Sequence, residues 1–264
     1  MHNKRVSTTI SVVILSLIAI AFLFPFAWMV ATSLKPTTEV FSLSPTGSRI
    51  AWDNYPSALN SIPFGRVVLN SFIVSLAGAA LVVVVSVLSA YAFARLRFKG
   101  RDHLFMLFLG TLVLPQEVLV IPLYIGMQRM GLVNSYFALI VPFAFGAFGA
   151  FLIRQFLMSL PLEFEEAARI DGCSDWKILT KILLPLLKAP ITVVGVFAFI
   201  DYWSAFLWPL IVVNDSTLAT IPLGLQMFSG ERGTDWGPLM AAATMTTIPS
   251  ILLAVFLQEQ LETG

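Results

Sequence analysis

The chain has 264 residues, of which 58% are hydrophobic and only 12% are charged, and its formal net charge is +1. Soluble domains contain about 25% charged residues, so the composition excludes an ordinary soluble protein. The near-zero net charge gives no indication of nucleic-acid binding. One Cys and two His exclude an intrachain disulfide and a His/Cys metal cluster.

The N-terminal segment is the first predicted membrane span. Val6–Leu34 contains no charged residue across 29 positions, whereas a bilayer core requires about 20 apolar residues in a helix. Lys4 and Arg5 precede this run, as basic residues precede the apolar core of a signal peptide. That core is only about 7–15 residues long, so we predict a retained helix.

Continuous apolar runs along the rest of the chain predict an all-α integral membrane protein with six spans. The predicted spans cover residues 8–34, 67–94, 104–127, 135–158, 183–213 and 236–258. The segment 35–66 is rich in Pro and aromatic residues, and we predict a loop with a short interfacial helix. We treat residues 1–264 as a single transmembrane domain.

The basic residues predict the orientation of these spans, because Lys and Arg are retained on the cytoplasmic side. Eleven lie on one side of the predicted membrane and five on the other. The eleven are Lys4, Arg5, Arg95, Arg97, Lys99, Arg101, Arg154, Arg169, Lys177, Lys181 and Lys188. Both termini and the loop 159–185 are therefore predicted to be cytoplasmic.

The loop 159–185 is unusually polar for this chain, and it reads as two short helices with a break. Gly172 is suited to the left-handed conformation that ends a helix, and Ser174 to the cap of a second helix. Arg169 can pair with Glu165 or Glu166 across one helical turn. Trp176 is predicted to pack the second helix against the first. The alternative is a solvated loop whose charges only enforce topology.

A motif in this loop resembles the EAA loop of permeases of ATP-binding-cassette (ABC) importers. It consists of Glu166-Ala167-Ala168, three residues, Gly172, nine residues, Ile182, one residue, and Leu184-Pro185. The resemblance implies the type I importer (MetI-like) fold in a bacterial inner membrane. It also implies that the loop forms a coupling helix that docks on an ATPase subunit. The expected docking residues are Glu165, Glu166, Ala167, Ala168, Arg169, Asp171, Gly172, Ile182, Leu184 and Pro185.

Shorter matches narrow the resemblance to the sugar-importer branch, the maltose-permease-like proteins. They are "SLKP" (33–36), "NS" (70–71), "IPLY" (121–124), "FLWPL" (206–210) and "GTDWGPLMAAA" (233–243). Two departures are Trp203-Ser204, where the branch often has Trp-Asn, and the acidic end "LQEQLETG" (257–264). The implied partners are a homologous permease, two ATP-binding subunits, an extracytoplasmic solute-binding protein and membrane lipid, with no nucleic acid.

No catalytic motif accompanies these features in the sequence. The dipeptide Gly-Lys, which a Walker A phosphate loop requires, does not occur, and neither does a GxSxG or HExxH pattern. We therefore expect no catalytic residue, no metal site and no cofactor in this chain. ATP and Mg²⁺ are expected on the partner ATPase.

Two acids inside predicted spans are candidate functional residues, because a charge in mid-bilayer is costly. Asp201, Tyr202, Trp203 and Ser204 form a polar–aromatic group in span five, and Glu117 lies between two prolines in span three. They could line a sugar path, or Asp201 could pair with a partner helix and Glu117 could be structural.

The sequence leaves two other functional classes open. An ion-coupled secondary transporter would use Asp201 and Glu117 as ion sites, but it would not account for the EAA spacing. A membrane-embedded enzyme would need a catalytic grouping that the sequence lacks. Within the ABC reading the cargo is a mono-, di- or oligosaccharide, with glycerol-3-phosphate or another polyol phosphate as the alternative.

Overall fold

The computed structural model describes residues 2–230 and 233–262, with side chains over 11–230 and 233–252. The chain forms two compact units. One comprises Met1–Gly65 with Gly224–Leu252, and the other Arg66–Leu223 with Leu253–Gly264.

The first unit contains a long N-terminal helix and the segment that follows it. Its helices and strands are α1 (His2–Ser33), a 3-10 turn (Thr37–Glu39), α2 (Asn54–Ser61), β1 (Ser229–Gly230), β2 (Gly233–Thr234) and most of α14 (Trp236–Glu262). The short helix predicted within 35–66 is confirmed as α2. The acidic end predicted to differ from the branch lies outside the described side chains.

A buried lysine organises the end of α1. The ammonium of Lys35 donates to the Ser42 carbonyl at 3.0 Å and lies 4.5 Å from the centroid of the Trp28 ring. The Asn54 amide donates to the carbonyls of Ser33 and Lys35 at 2.8 and 2.9 Å. The "SLKP" segment therefore fixes the turn that leaves the first predicted span.

The second unit contains the remaining helices. They are α3 (Phe64–Arg95), α4 (Arg101–Gly110), α5 (Gln116–Arg129), α6 (Tyr136–Ile140), α7 (Ala147–Ser159), α8 (Glu163–Ile170), α9 (Asp175–Ile178), a π-helical turn (Leu179–Leu183), α10 (Leu184–Leu186), α11 (Lys188–Ser204), α12 (Leu207–Val212), a 3-10 turn (Ser216–Leu218) and α13 (Ile221–Gln226), which continues into the first unit.

Three predicted spans are interrupted in the structure. Span three is two helices that meet at 101°, because Pro115 forces Leu114 out of the helical region, to ψ 119°. Span four breaks over residues 141–146, beside Pro142 and Gly146, and resumes as α7. Span five, predicted over 183–213, bends by 81° at Leu187, and it breaks again between α11 and α12.

Two described helices are each long and apolar enough to cross a membrane, Ser11–Ser33 and Phe64–Arg95. Counting each of three bent helix pairs as one span raises the number to five. The sixth predicted span lies on α14, whose side chains are described only to residue 252. The number of six spans and the cytoplasmic location of both termini therefore remain predictions.

Polar side chains at the start of α3 anchor the segment before α13. The Asn70 amide donates to the carbonyls of Thr217 and Ala219, each at 2.9 Å, and its oxygen accepts from the Tyr136 hydroxyl at 2.6 Å. The Ser71 hydroxyl accepts from the backbone N–H of Ile221 at 2.7 Å. Both residues of the "NS" pair are therefore buried, and each is hydrogen-bonded to the backbone of residues 217–221.

Close packing of α3 against α11 depends on Gly78. A Cβ at this position would lie 2.5 Å from the Tyr202 ring, and Tyr202 is held by a 2.5 Å hydrogen bond that its hydroxyl donates to the Ile140 carbonyl. We therefore expect Gly78→Ala to lower the free energy of unfolding by about 1–3 kcal/mol, the usual cost of overpacking. The measurement is thermal unfolding of the purified transporter.

Gly195→Ala is the matched control for this substitution. It also lies inside a helix of the second unit, but its Cβ would meet Val83 at an ordinary 3.5 Å. Both variants gain the same helix propensity, so the difference between them isolates the contact with Tyr202. Equal unfolding midpoints for the two variants would contradict this account of the packing.

Candidate functional site

The polar hairpin, residues 159–185, contains the two short helices expected from the sequence. The first is α8, and Gly172 follows it with a φ of +77°, as the helix-ending role predicts. The Ser174 hydroxyl accepts from the backbone N–H of Lys177 at 3.4 Å and caps α9. The break at 171–174 therefore confirms the local prediction from Gly172 and Ser174.

Helix α8 has two different faces. Glu165 and Ala168 are buried, at 1% and 6% exposure, and Ala168 packs into the apolar core with Ile153 and Ile178. The opposite face is exposed and consists of Glu163, Glu166, Ala167 and Ile170. The Ile170 side chain is 87% exposed. A short helix is thus anchored on one side and leaves an acidic and small-residue stripe free on the other.

Arg169 lies at the edge between these faces. Its guanidinium is 3.3 Å from the Asp175 carboxylate and 3.9 Å from that of Glu165. The hydrogen bond to Asp175 raises the pKa of Arg169. Within the described residues Glu166 makes no ion pair, so the expected pairing of Arg169 is confirmed with Glu165 and wrong for Glu166.

The second half of the hairpin packs against α3. Ile182 is half-buried against the core, while Leu184 and Pro185 line an apolar groove together with Val84 and Trp176. Trp176 is 66% exposed. The prediction that it packs α9 against α8 is wrong, because the core side of α9 is occupied by Ile178 instead.

A cavity of about 420 Å³ lies within the second unit, and it collects four of the five residues predicted from the intramembrane acids. They are Glu117, Asp201, Tyr202 and Ser204. Trp203 does not line it: its ring stacks on Phe199 at 5.5 Å and meets Phe72 edge-on at 4.9 Å. The helical turn places Trp203 on the packed side of α11, so its grouping with the other four was wrong.

The hydroxyl groups of Tyr202 and Ser204 in this cavity donate their hydrogen bonds to backbone carbonyls. Tyr202 donates to the Ile140 carbonyl, and Ser204 donates to the Ile200 carbonyl at 2.6 Å. Glu117 and Asp201 carry the charge of the cavity, and the described residues that line it include no Lys or Arg. Sequence reasoning missed Gln116 and Trp208, which also line the cavity. A Gln directly before Glu117 was the available signal.

Neither region contains the grouping that a metal centre requires. In the described part of the chain no set of three or more His, Cys, Asp or Glu side chains is placed to hold an ion. The hairpin offers a surface for another macromolecule, and the cavity offers carboxylates and aromatic rings to a small solute.

Comparison with known proteins identifies the family. Residues 82–264 match the family described as the binding-protein-dependent transport system inner membrane component. The sn-glycerol-3-phosphate transport system permease protein UgpE of Pectobacterium atrosepticum is 37% identical, over 97% of this chain and 95% of the relative. The lactose transport system permease protein LacG of Rhizobium radiobacter is 31% identical, over 99% and 96%.

A solved structure has the same fold. A chain of a bacterial ABC transporter involved in the import of the acidic polysaccharide alginate superposes with a TM-score of 0.85 at 22% identity, over 98% of both chains. The chain therefore belongs to the binding-protein-dependent transport system inner membrane components, as a non-catalytic multi-pass permease of a carbohydrate-type ABC importer in the bacterial inner membrane.

Proposed function

We propose that this chain couples ATP hydrolysis by a partner to import of a neutral sugar, through docking of the polar hairpin on the ATPase. The observation that carries the proposal is the outward stripe of α8. Glu166, Ala167 and Ile170 are exposed there, while Glu165 and Ala168 hold the same helix to the core. Carboxylates can fix the orientation of a partner protein, and the small side chain of Ala167 lets a partner backbone come close, so this stripe is suited to a protein partner.

The partners follow from this role and from membership of a binding-protein-dependent family. The complete importer would contain a second homologous permease, two ATP-binding subunits and an extracytoplasmic solute-binding protein. ATP and Mg²⁺ would bind to the ATP-binding subunits. Closure of those subunits would move the hairpin, and the hairpin would shift the spans that pack on it between inward-open and outward-open arrangements.

The cavity supports a neutral, polyhydroxylated cargo. Carboxylates of Glu117 and Asp201 accept hydrogen bonds from sugar hydroxyls, and exposed aromatic rings such as Phe197 and Phe206 provide faces on which a sugar ring can stack. A phosphorylated solute would bring its own negative charge toward these two acids, without a described lining cation to offset it. The electrostatics of the cavity therefore favour the neutral cargo.

A second candidate cargo is sn-glycerol-3-phosphate. It is favoured by the 37% identity with the Pectobacterium atrosepticum permease named for that solute. Competition distinguishes the two cargoes: an excess of sn-glycerol-3-phosphate should leave uptake of a labelled neutral sugar unchanged. Strong inhibition would favour the phosphorylated cargo.

The energy source tests the proposed function as a whole. In vesicles that contain the assembled importer and its binding protein, uptake of a labelled sugar that the binding protein retains should require internal ATP. It should also survive a protonophore, because no ion gradient is used. Uptake that persists without ATP and collapses with the protonophore would instead establish an ion-coupled transporter with Glu117 and Asp201 as its ion sites.

A further inference from the structure

One arginine connects the end of α3 to two other elements. The Arg95 guanidinium donates to the carbonyls of Leu157 and Leu160, at 2.8 and 3.2 Å, where α7 ends. Its Nε lies 2.5 Å from a carboxylate oxygen of Glu165 on α8. The two side chains are only 7% and 1% exposed. The contact with Glu165 is an ion pair rather than a well-aligned hydrogen bond.

A second contact joins α3 to the other half of the hairpin. Tyr91 lies one turn before Arg95, on the same side of α3. Its hydroxyl donates to the backbone carbonyl of Asp175, the first residue of α9, at 3.5 Å. Below these polar contacts, Ala168 and Ile178 pack into one core with Val87. Helix α3 therefore contacts both helices of the polar hairpin.

We propose that Arg95 and Glu165 are a positioning pair through which the hairpin moves α3. This inference rests on the proposed function, because the movement originates at the docked hairpin. A buried ion pair resists separation strongly, since either charge would remain unpaired away from water. The exposed pair of Arg169 with Asp175 resists little by comparison.

The route through α3 also has an advantage of geometry. The covalent route from α9 to α11 passes through the π-helical turn and then the 81° bend at Leu187. In contrast, α3 continues without interruption from Phe64 to the arginine that contacts the hairpin. A displacement of α8 can therefore reach an entire spanning helix by one buried contact.

Glu165→Gln separates this role from a purely structural one. The substitution keeps the shape of the side chain and leaves the bonds from Arg95 to the α7 carbonyls intact. It removes the charge link from Arg95 to the hairpin, together with the longer 3.9 Å contact between Glu165 and Arg169. The readout is amide hydrogen exchange at the end of α3, residues 88–98, in the assembled importer. Exchange is compared without nucleotide and with ATP plus vanadate, alongside ATPase activity stimulated by the binding protein.

We expect ATP plus vanadate to change exchange at the end of α3 in the unmodified importer. In Glu165→Gln that nucleotide-dependent difference should disappear, and binding-protein stimulation of the ATPase should fall roughly tenfold, within the usual range of coupling between sites. Glu165→Asp, which keeps the charge, should restore part of both. A structural role alone would raise exchange equally with and without nucleotide, and that result would overturn the inference.

Arg154→Gln is the matched control. Arg154 also joins α7 to α3, because its Nε donates to the Phe93 carbonyl at 3.3 Å, but among the described residues it makes no hydrogen bond or ion pair with the hairpin. This variant should keep the nucleotide-dependent difference. Its loss there as well would overturn the specific role of Glu165. Should Glu165→Gln fail to assemble, Glu165→Asp decides instead: its side chain is one methylene shorter and holds the carboxylate farther from Arg95, so the nucleotide-dependent difference should be smaller than in the unmodified importer, and an undiminished difference would overturn the inference.

The failure of this inference differs from the failure of the proposed function. If the hairpin itself, residues 163–178, shows no response to nucleotide in the unmodified importer, docking is refuted. If the hairpin responds and the end of α3 does not, docking stands and the positioning role of Arg95 and Glu165 is refuted.

Discussion

Gly172→Pro is expected to abolish ATP-driven uptake while the permease still accumulates in the membrane. Gly172 has a φ of +77°, and its N–H donates to the Arg169 carbonyl at 3.0 Å. Proline can supply neither, because its ring fixes φ near −65° and it has no N–H. The turn between α8 and α9 would reorient, so the outward stripe of α8 would no longer face the ATPase. We expect a loss of roughly 100-fold in uptake per ATP hydrolysed, near the upper end of coupling between sites.

Gly131→Pro provides a control with the same local chemistry. Gly131 has a φ of +67°, and its N–H donates to the Gln128 carbonyl at 3.0 Å, but it follows α5 and lies outside the hairpin. The amount of transporter is expected to fall in both variants, whereas uptake per ATP should fall only in Gly172→Pro. Equal uncoupling by the two substitutions would remove the support for a specific role of the hairpin.

Asp201→Asn is expected to weaken sugar uptake strongly without affecting assembly. A hydrogen bond to a charged acceptor contributes about 1.5–3 kcal/mol, which corresponds to roughly 10- to 100-fold in uptake at low sugar concentration. Removing one of the two negative charges in the cavity should also let sn-glycerol-3-phosphate compete with the sugar more effectively. The measurement is the initial rate of uptake of the labelled sugar, with and without the competitor.

Asp215→Asn is the matched control for the cavity. Asp215 accepts from the Thr217 N–H at 2.8 Å, which lowers the pKa of its carboxyl, and Asn can accept the same hydrogen bond. Because Asp215 does not line the cavity, uptake and competition should stay unchanged in this variant. If Asp201→Asn behaves like Asp215→Asn, the cavity is not the sugar path, and Asp201 has a structural role.

The sequence predicted helices well where apolar runs were uninterrupted, and less well where single residues break them. Helix α3 was predicted from the apolar run 67–94, which contains no charged residue and no Pro. Its one glycine, Gly78, packs against Tyr202. The break in span four covers residues 141–146, which include Pro142 and Gly146. Hydropathy counts both sides of such a break as one span, because it averages over about 19 residues and does not register backbone geometry.

Local chemistry was predictable in the hairpin, whereas contacts between distant residues were not. Gly172 and Ser174 act on their own neighbours, so their roles can be inferred from spacing. Glu165 is a different case: its carboxylate is buried against Arg95, which is 70 positions earlier in the chain. In the sequence, both residues have the position and charge that are typical of solvated cytoplasmic loops. The opposite case is Trp203 and Asp201, which are near each other in the sequence but lie on different sides of α11.

Cross-linking from Ile170 tests the docking of the polar hairpin most directly. The side chain is 87% exposed on the outward face of α8, and Cys173 is the only native cysteine, so Ile170→Cys in a Cys173→Ser background gives one defined attachment point. In the assembled importer, a short bifunctional reagent at this cysteine should join the permease to the ATP-binding subunit, and ATP should alter the yield. A freely accessible thiol at position 170 that forms no such product, in a complex that hydrolyses ATP and imports sugar, would contradict the account.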